Sequence, residues 1–140
     1  MTDSRYDDGM KVRKEVLGSD YVERAMARAT EFDADFQRFI TETAWGGVWA
    51  RPDLDRRTRS LVTVAILAAL GREELTLHMT AALNNLEIDP REMSEVLLHV
   101  AVYAGVPAAN AAFAVAKKIL AERALTSTEA DPNGSGKEAV

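Results

Sequence analysis

The run RRTRSLVTVAILAALG, residues 56–71, decides how this chain folds. After Arg59 no charged residue appears until Arg72. A helix that is apolar on every side is buried, either in the centre of its own chain or between subunits. Asp55 stands where an N-cap is wanted, and Gly71 stands where the helix must stop. The apolar part, residues 61–70 interrupted by Thr63, falls well short of the ~20 residues that cross a bilayer.

Outward from this helix the pattern stays helical. Residues 8–17 predict a first helix that ends at Gly18, and Ser19 or Asp20 predicts the cap of a second, reaching about Thr30. DADFQRFITETAW predicts a third, ending at Gly46-Gly47, and GGVWARPDLD predicts a loop. Beyond Gly71 a helix is expected over 73–86. IDPREM then announces another, with Asp89 as cap, Pro90 in the first turn and Glu92 closing a capping box. That helix reaches Gly105, and Pro107 opens the last, to about Leu125. The fold class is all-α, one domain over 1–125 with a flexible tail over 126–140. The alanine-rich 64–70 and AANAAFAVAKKIL give little apolar area per helix, which predicts burial against further copies of the chain.

Composition excludes several functions. The 140 residues contain no cysteine, which rules out disulfides, thiolate metal sites and thiol redox catalysis. The net charge of -5 repels phosphate backbones, so no nucleic-acid partner is expected. The polar, acidic start MTDSRYDDGM is unlike a signal peptide, so the expected setting is cytoplasmic with no membrane partner.

Two histidines are present. His78, in LHMTAALNN, shares a helix face with Glu74 one turn before and Asn85 two turns after. Spacing alone favours a helix histidine satisfied by Glu74. The same pairing is that of a general acid or base near neutral pH. No second histidine stands one turn away, so no metal is expected. His99, between Glu95 and Tyr103, reads as a surface histidine, with Tyr103 a possible hydroxyl donor. Arg51, Arg56, Arg57 and Arg59 place four guanidinium groups within nine residues. They are either a solvated helix end balanced by Asp53 and Asp55 or a carboxylate site, for which Arg59 is preferred. Trp45 and Trp49 flank Gly46-Gly47 and serve either as core or as the wall of a small pocket, with Glu42 one turn before Trp45.

The segments WGGVWARPDLDRRTRSL, HMTAALNN and EVLLHVAVYAGVPAA together resemble the carboxymuconolactone decarboxylase family. The resemblance spans residues 8–124. It departs at Leu86-Glu87, where a glycine usually follows the paired asparagines. It implies an AhpD-like fold of about six or seven helices, assembled as a homohexamer, a trimer of dimers. A thiol-peroxidase branch of the same family carries two cysteines. Gly71 and Glu74 occupy those positions here, and Arg59 stands where that branch has a glutamate. The implied activity is cofactor-independent decarboxylation of 4-carboxymuconolactone, a small lactone dicarboxylate, to an enol-lactone and CO2 in protocatechuate breakdown. The resemblance implies that Arg59 or Arg51 holds the acetate arm, and that His78, Tyr103 or Asn85 stabilises the developing oxyanion. It further implies that His78, partnered by Glu74 or Glu42, delivers the proton, and that Trp45 and Trp49 form an apolar wall. Another lactone or carboxylate enzyme on this scaffold, or a helical oligomer without catalysis, are the alternatives.

Overall fold

The computed structural model describes residues 3–130. Among them are seven α-helices, one π-helical segment and no strand: α1 (Ser4–Leu17), α2 (Ser19–Ala27), α3 (Ala34–Ile40) running straight into the π-helix (Thr41–Trp49), α4 (Arg56–Leu70), α5 (Leu75–Asn84), α6 (Pro90–Tyr103) and α7 (Val106–Ala130). None of the described helices is long and apolar enough to cross a membrane.

The expected boundaries hold where local chemistry fixes them. Asp55 accepts from the Thr58 amide at 2.7 Å, and Gly71 ends α4 at a φ of 65°, a left-handed turn that costs glycine nothing. Asp89 caps α6 by accepting from the Arg91 amide at 2.7 Å. Glu92 does not close the expected capping box and instead pairs with Arg57 at 2.7 Å.

Other boundaries move. The first helix begins at Ser4, because Asp3 supplies a cap to the Tyr6 amide. The second begins directly after Gly18 with no side-chain cap, and it ends at Ala27 rather than Thr30. The helix expected over 73–86 is shorter, Leu75–Asn84. The last helix passes Leu125 and runs to Ala130, while residues 131–140 of the expected tail lie outside the described residues.

The largest correction falls on Gly46-Gly47. These glycines do not end the third helix, and the segment read as a loop stays helical through Trp49. Packing explains why. A Cβ on Gly9 would stand 2.1 Å from the Thr41 carbonyl oxygen, and one on Gly46 would stand 2.2 Å from that of Arg5. The two glycines therefore let α1 lie backbone to backbone against the π-helix, and that contact outweighs glycine's weak helical preference.

The core has two parts. Val64 and Ala68 of α4, Met79 and Ala82 of α5, Met93 and Leu97 of α6 and an alanine stripe of α7 (Ala109, Ala112, Ala116) pack together. Val12, Val16 and Leu17 of α1 and Val22 of α2 pack with Trp45, Trp49 and Ala81. Helix α5 is the seam: Met79 and Ala82 enter the first cluster, Ala81 and Leu77 the second.

Within the single chain, helix α4 is buried on one side only, which excludes the central placement and not burial between subunits. Ser60, Val64 and Ala68 are buried, but Ile66 is 52% and Leu70 60% exposed. Ile66 shares an apolar groove with Val62 and Ala65 of α4 and with Val96 and Tyr103 of α6, Tyr103 being 79% exposed.

Candidate active site

A cleft of about 410 Å³ opens where α1, α2, α3 and the π-helix meet α5. His78 of α5 forms part of its wall, together with Trp45, Glu74, Arg13, Gln37 and Tyr21.

The imidazole is held by aromatic rings. Trp45 and Trp49 stack at 4.8 Å between centroids, and each lies 6.2 Å from the His78 ring with interplanar angles of 14° and 18°. These separations are within aromatic stacking range. The π-helix positions both indoles on the side facing α5, so ring planes rather than hydrogen bonds orient the imidazole. His78 Nδ1 is buried with no hydrogen-bond partner. Burial pushes the His78 pKa below its ordinary value, opposed by the negative charge of Glu74. Burial therefore favours the neutral imidazole.

The Glu–His–Asn stripe expected from spacing does not form a hydrogen-bonded relay. Glu74 stays one turn away, linked to His78 only through the backbone, where its carbonyl accepts from the His78 amide at 3.1 Å. Asn85 donates to the Val16 carbonyl at 2.8 Å, tying α5 to α1. Of the residues singled out in the sequence, Trp45, Glu74 and His78 share the cleft, and Trp49 stacks behind it.

The rest lie elsewhere in the single chain. Glu42 is held by Arg38 at 2.7 Å. Arg59 donates to the carbonyls of Leu54 and Arg51 at 3.2 and 3.3 Å, bracing the loop before α4. Arg51 pairs with Asp53 at 3.7 Å and Arg56 with Glu15, so the arginine cluster is spread among separate partners. Tyr103 stacks on His99 at 4.8 Å in the apolar groove between α4 and α6.

Sequence reasoning missed the wall contributed by α1, α2 and α3, notably Arg13, Tyr21 and Gln37. A signal for Arg13 existed. It lies on the stripe Gly9–Val12–Arg13–Val16, whose members are all buried. A cation at a stripe position is the informative exception to an apolar face.

The Carboxymuconolactone decarboxylase family model matches residues 34–118, from the start of α3 into α7. The chain is 49% identical over 118 residues to a 4-carboxymuconolactone decarboxylase of Acinetobacter baylyi, covering 84% of this chain and 87% of that one. The chain belongs to the carboxymuconolactone decarboxylase family. It is also 47% identical over 118 residues to the nitrosuccinic acid decarboxylase npaB of Metarhizium robertsii, covering 82% of this chain and 80% of that protein. A 42-residue match to a 4-carboxymuconolactone decarboxylase of Pseudomonas putida, 45% identical, covers 30% of this chain. The matched region of the family takes in Trp45, Trp49 and His78, whereas Arg13 and Tyr21 precede it.

Proposed function

We propose that the chain is a decarboxylase of 4-carboxymuconolactone, acting without a cofactor in the cytoplasmic breakdown of protocatechuate. The observation that carries this reading is a buried, ring-clamped His78 in the cleft of a chain 49% identical to a relative with that activity in its name.

The substrate supplies its own electron sink. When the bond from the ring carbon to the carboxylate breaks, its electron pair moves through the ring double bond to the lactone carbonyl. CO2 leaves and a dienolate remains. A proton added beside the carbonyl then completes the enol-lactone. The protein must exclude water, stabilise a developing oxyanion and deliver that proton. In this reading His78 delivers the proton. A bound dicarboxylate brings negative charge into the cleft and favours the imidazolium that burial disfavours. The indoles give the departing carboxylate an apolar surround, which favours neutral CO2.

Nitrosuccinic acid is the second substrate reading, favoured by the 47% identity to npaB. There the nitro group accepts the electron pair as a nitronate, and the other demands are unchanged. Both acids share one feature: the carbon that loses CO2 also carries a –CH2COO⁻ arm.

The test is CO2 release above the spontaneous rate from freshly generated 4-carboxymuconolactone and from nitrosuccinate, run in parallel. Faster turnover of the lactone is the expected result. Preference for nitrosuccinate would move the assignment to the second reading, and inertness toward both would overturn it.

The assembly we propose is a homohexamer, a trimer of dimers. Such an assembly needs two kinds of interface. Two apolar faces support it: the α4/α6 groove, and Phe32, Phe36 and Phe39 on and before α3, which are 98%, 59% and 60% exposed. Light scattering should give six copies per particle, and Ile66→Arg should reduce that number. A wild-type monomer would sink the proposal.

A further inference from the structure

One buried cation in the cleft has no counter-charge; the other arginine that lines the cleft, Arg28, is exposed to solvent. Arg13 is only 4% exposed. Its Nη1 donates to Thr41 Oγ1 at 3.1 Å and reaches Met26 Sδ at 3.7 Å, and its Nη2 donates to Gln37 Oε1 at 3.1 Å. Every one of these partners is neutral. The Nε group is buried with no partner at all. Among the described residues no carboxylate comes within ion-pair reach of the guanidinium; of the acidic groups of the cleft, Asp33 accepts from the Thr30 amide at 2.6 Å and Glu74 stands at the start of α5.

A guanidinium cannot shed its proton to escape burial, as a lysine can, so an unpaired buried arginine is a standing cost to the fold. Burial does push the Arg13 pKa down, which expresses the same cost. The geometry of the free donors says what would offset it. Nε and Nη2 share one edge of the guanidinium, the edge with which arginine grips a carboxylate side-on. Only the neutral Gln37 oxygen occupies that edge. The other arginines considered for this task are already committed, Arg59 to two carbonyls and Arg51 to Asp53.

We propose that Arg13 grips the carboxylate that survives the reaction, the one on the –CH2COO⁻ arm, and so makes the cleft selective for acids carrying that arm. This assignment rests on the decarboxylase reading for its substrate class. It also accounts for the feature common to the two candidate acids: their sinks differ, a lactone and a nitro group, but the gripped arm is the same. Helix α1 thereby supplies the anchor, while the π-helix and α5 surround the reacting carbon.

The test uses muconolactone, which has the ring and the arm but lacks the carboxylate that leaves, and its methyl ester, which lacks the arm's charge. Binding is followed by calorimetry, with no turnover required. Wild type should bind the acid roughly 10- to 100-fold more tightly than the ester, the range of a hydrogen-bonded charge. Arg13→Met should bind acid and ester alike, and should melt no lower than wild type because it removes an uncompensated charge. Arg13→Lys, which keeps the charge but loses the fork, should discriminate partially. Should the methionine variant fail to fold, the lysine variant decides, and undiminished discrimination by it overturns the proposal. So does a wild type that binds acid and ester equally, or discrimination that follows Arg28→Ala instead. If wild type discriminates but releases no CO2 from either candidate acid, the decarboxylase reading falls and the carboxylate anchor stands.

Discussion

His78→Gln is expected to fold and assemble like wild type while losing roughly 10²- to 10⁴-fold in kcat, the usual contribution of a positioned general acid. Glutamine keeps a polar group of similar reach against Trp45 and Trp49 but carries no transferable proton. The pH dependence makes the prediction sharper. Burial holds the native His78 pKa below its ordinary 6.5. The free protein must therefore take up a proton to deliver one, so wild-type kcat/KM should fall as pH rises above that lowered value. The variant should show a flat profile over the same range. The stability effect has the opposite sign. Between 6.5 and the lowered native value, the unfolded chain holds more protons than the folded one, so stability falls as pH falls through that window. The glutamine variant lacks this slope. Turnover within about threefold of wild type would remove His78 from the chemistry.

Gly46→Ala is expected to destabilise the fold far more than its single added methyl suggests. Its Cβ would stand 2.2 Å from the Arg5 carbonyl oxygen, and backbone cannot swing aside as a side chain can. Overpacking of this kind costs about 1–3 kcal/mol and occasionally more. Separation of α1 from the π-helix would add the loss of Val12 and Val16 from their cluster. A melting temperature lower by roughly 10 °C is expected, and Gly9→Ala should behave alike because its Cβ meets the Thr41 carbonyl oxygen at 2.1 Å. Gly71→Ala serves as the contrast: a Cβ there meets nothing within 4 Å, leaving only the strain of a φ of 65°. Equal melting temperatures for Gly46→Ala and Gly71→Ala would refute the backbone-contact account.

What could be read from the sequence follows from the range of the forces involved. Asp55, Gly71 and Asp89 act within a few residues of themselves, and their roles were legible. Gly46-Gly47 was not, since local preference says stop and only the distant Gly9 says continue. The same division runs through the site. His78 and Glu74 share a helix, so their proximity follows from spacing, but spacing does not reveal that Asn85 turns to Val16 or that Glu42 turns to Arg38. The arginines near α4 drew attention by their density, yet each found a nearby partner. Arg13, the one charged member of the stripe Gly9–Val12–Arg13–Val16, carried the better signal, because a charge on a buried stripe requires an explanation that a crowd of surface charges does not.

The π-helix changes how this region should be compared with related chains. Its hydrogen bonds span five residues rather than four, so it is equivalent to an α-helix into which one residue has been inserted. Removing any one residue between Thr41 and Trp49 would leave a continuous helix of ordinary appearance. The flanking segments would keep their relative phase, because the wider turn absorbs the extra residue that would otherwise turn an α-helix by about 100°. A cut between Trp45 and Trp49 would set the indoles three residues apart instead of four, still on one face but no longer in the same stacked arrangement. A single-residue gap here is thus not a loop-length variation but the loss of a wide turn, and relatives that differ by one residue in this stretch should be expected to keep the helix on either side in phase while the spacing of the indoles in the cleft wall changes.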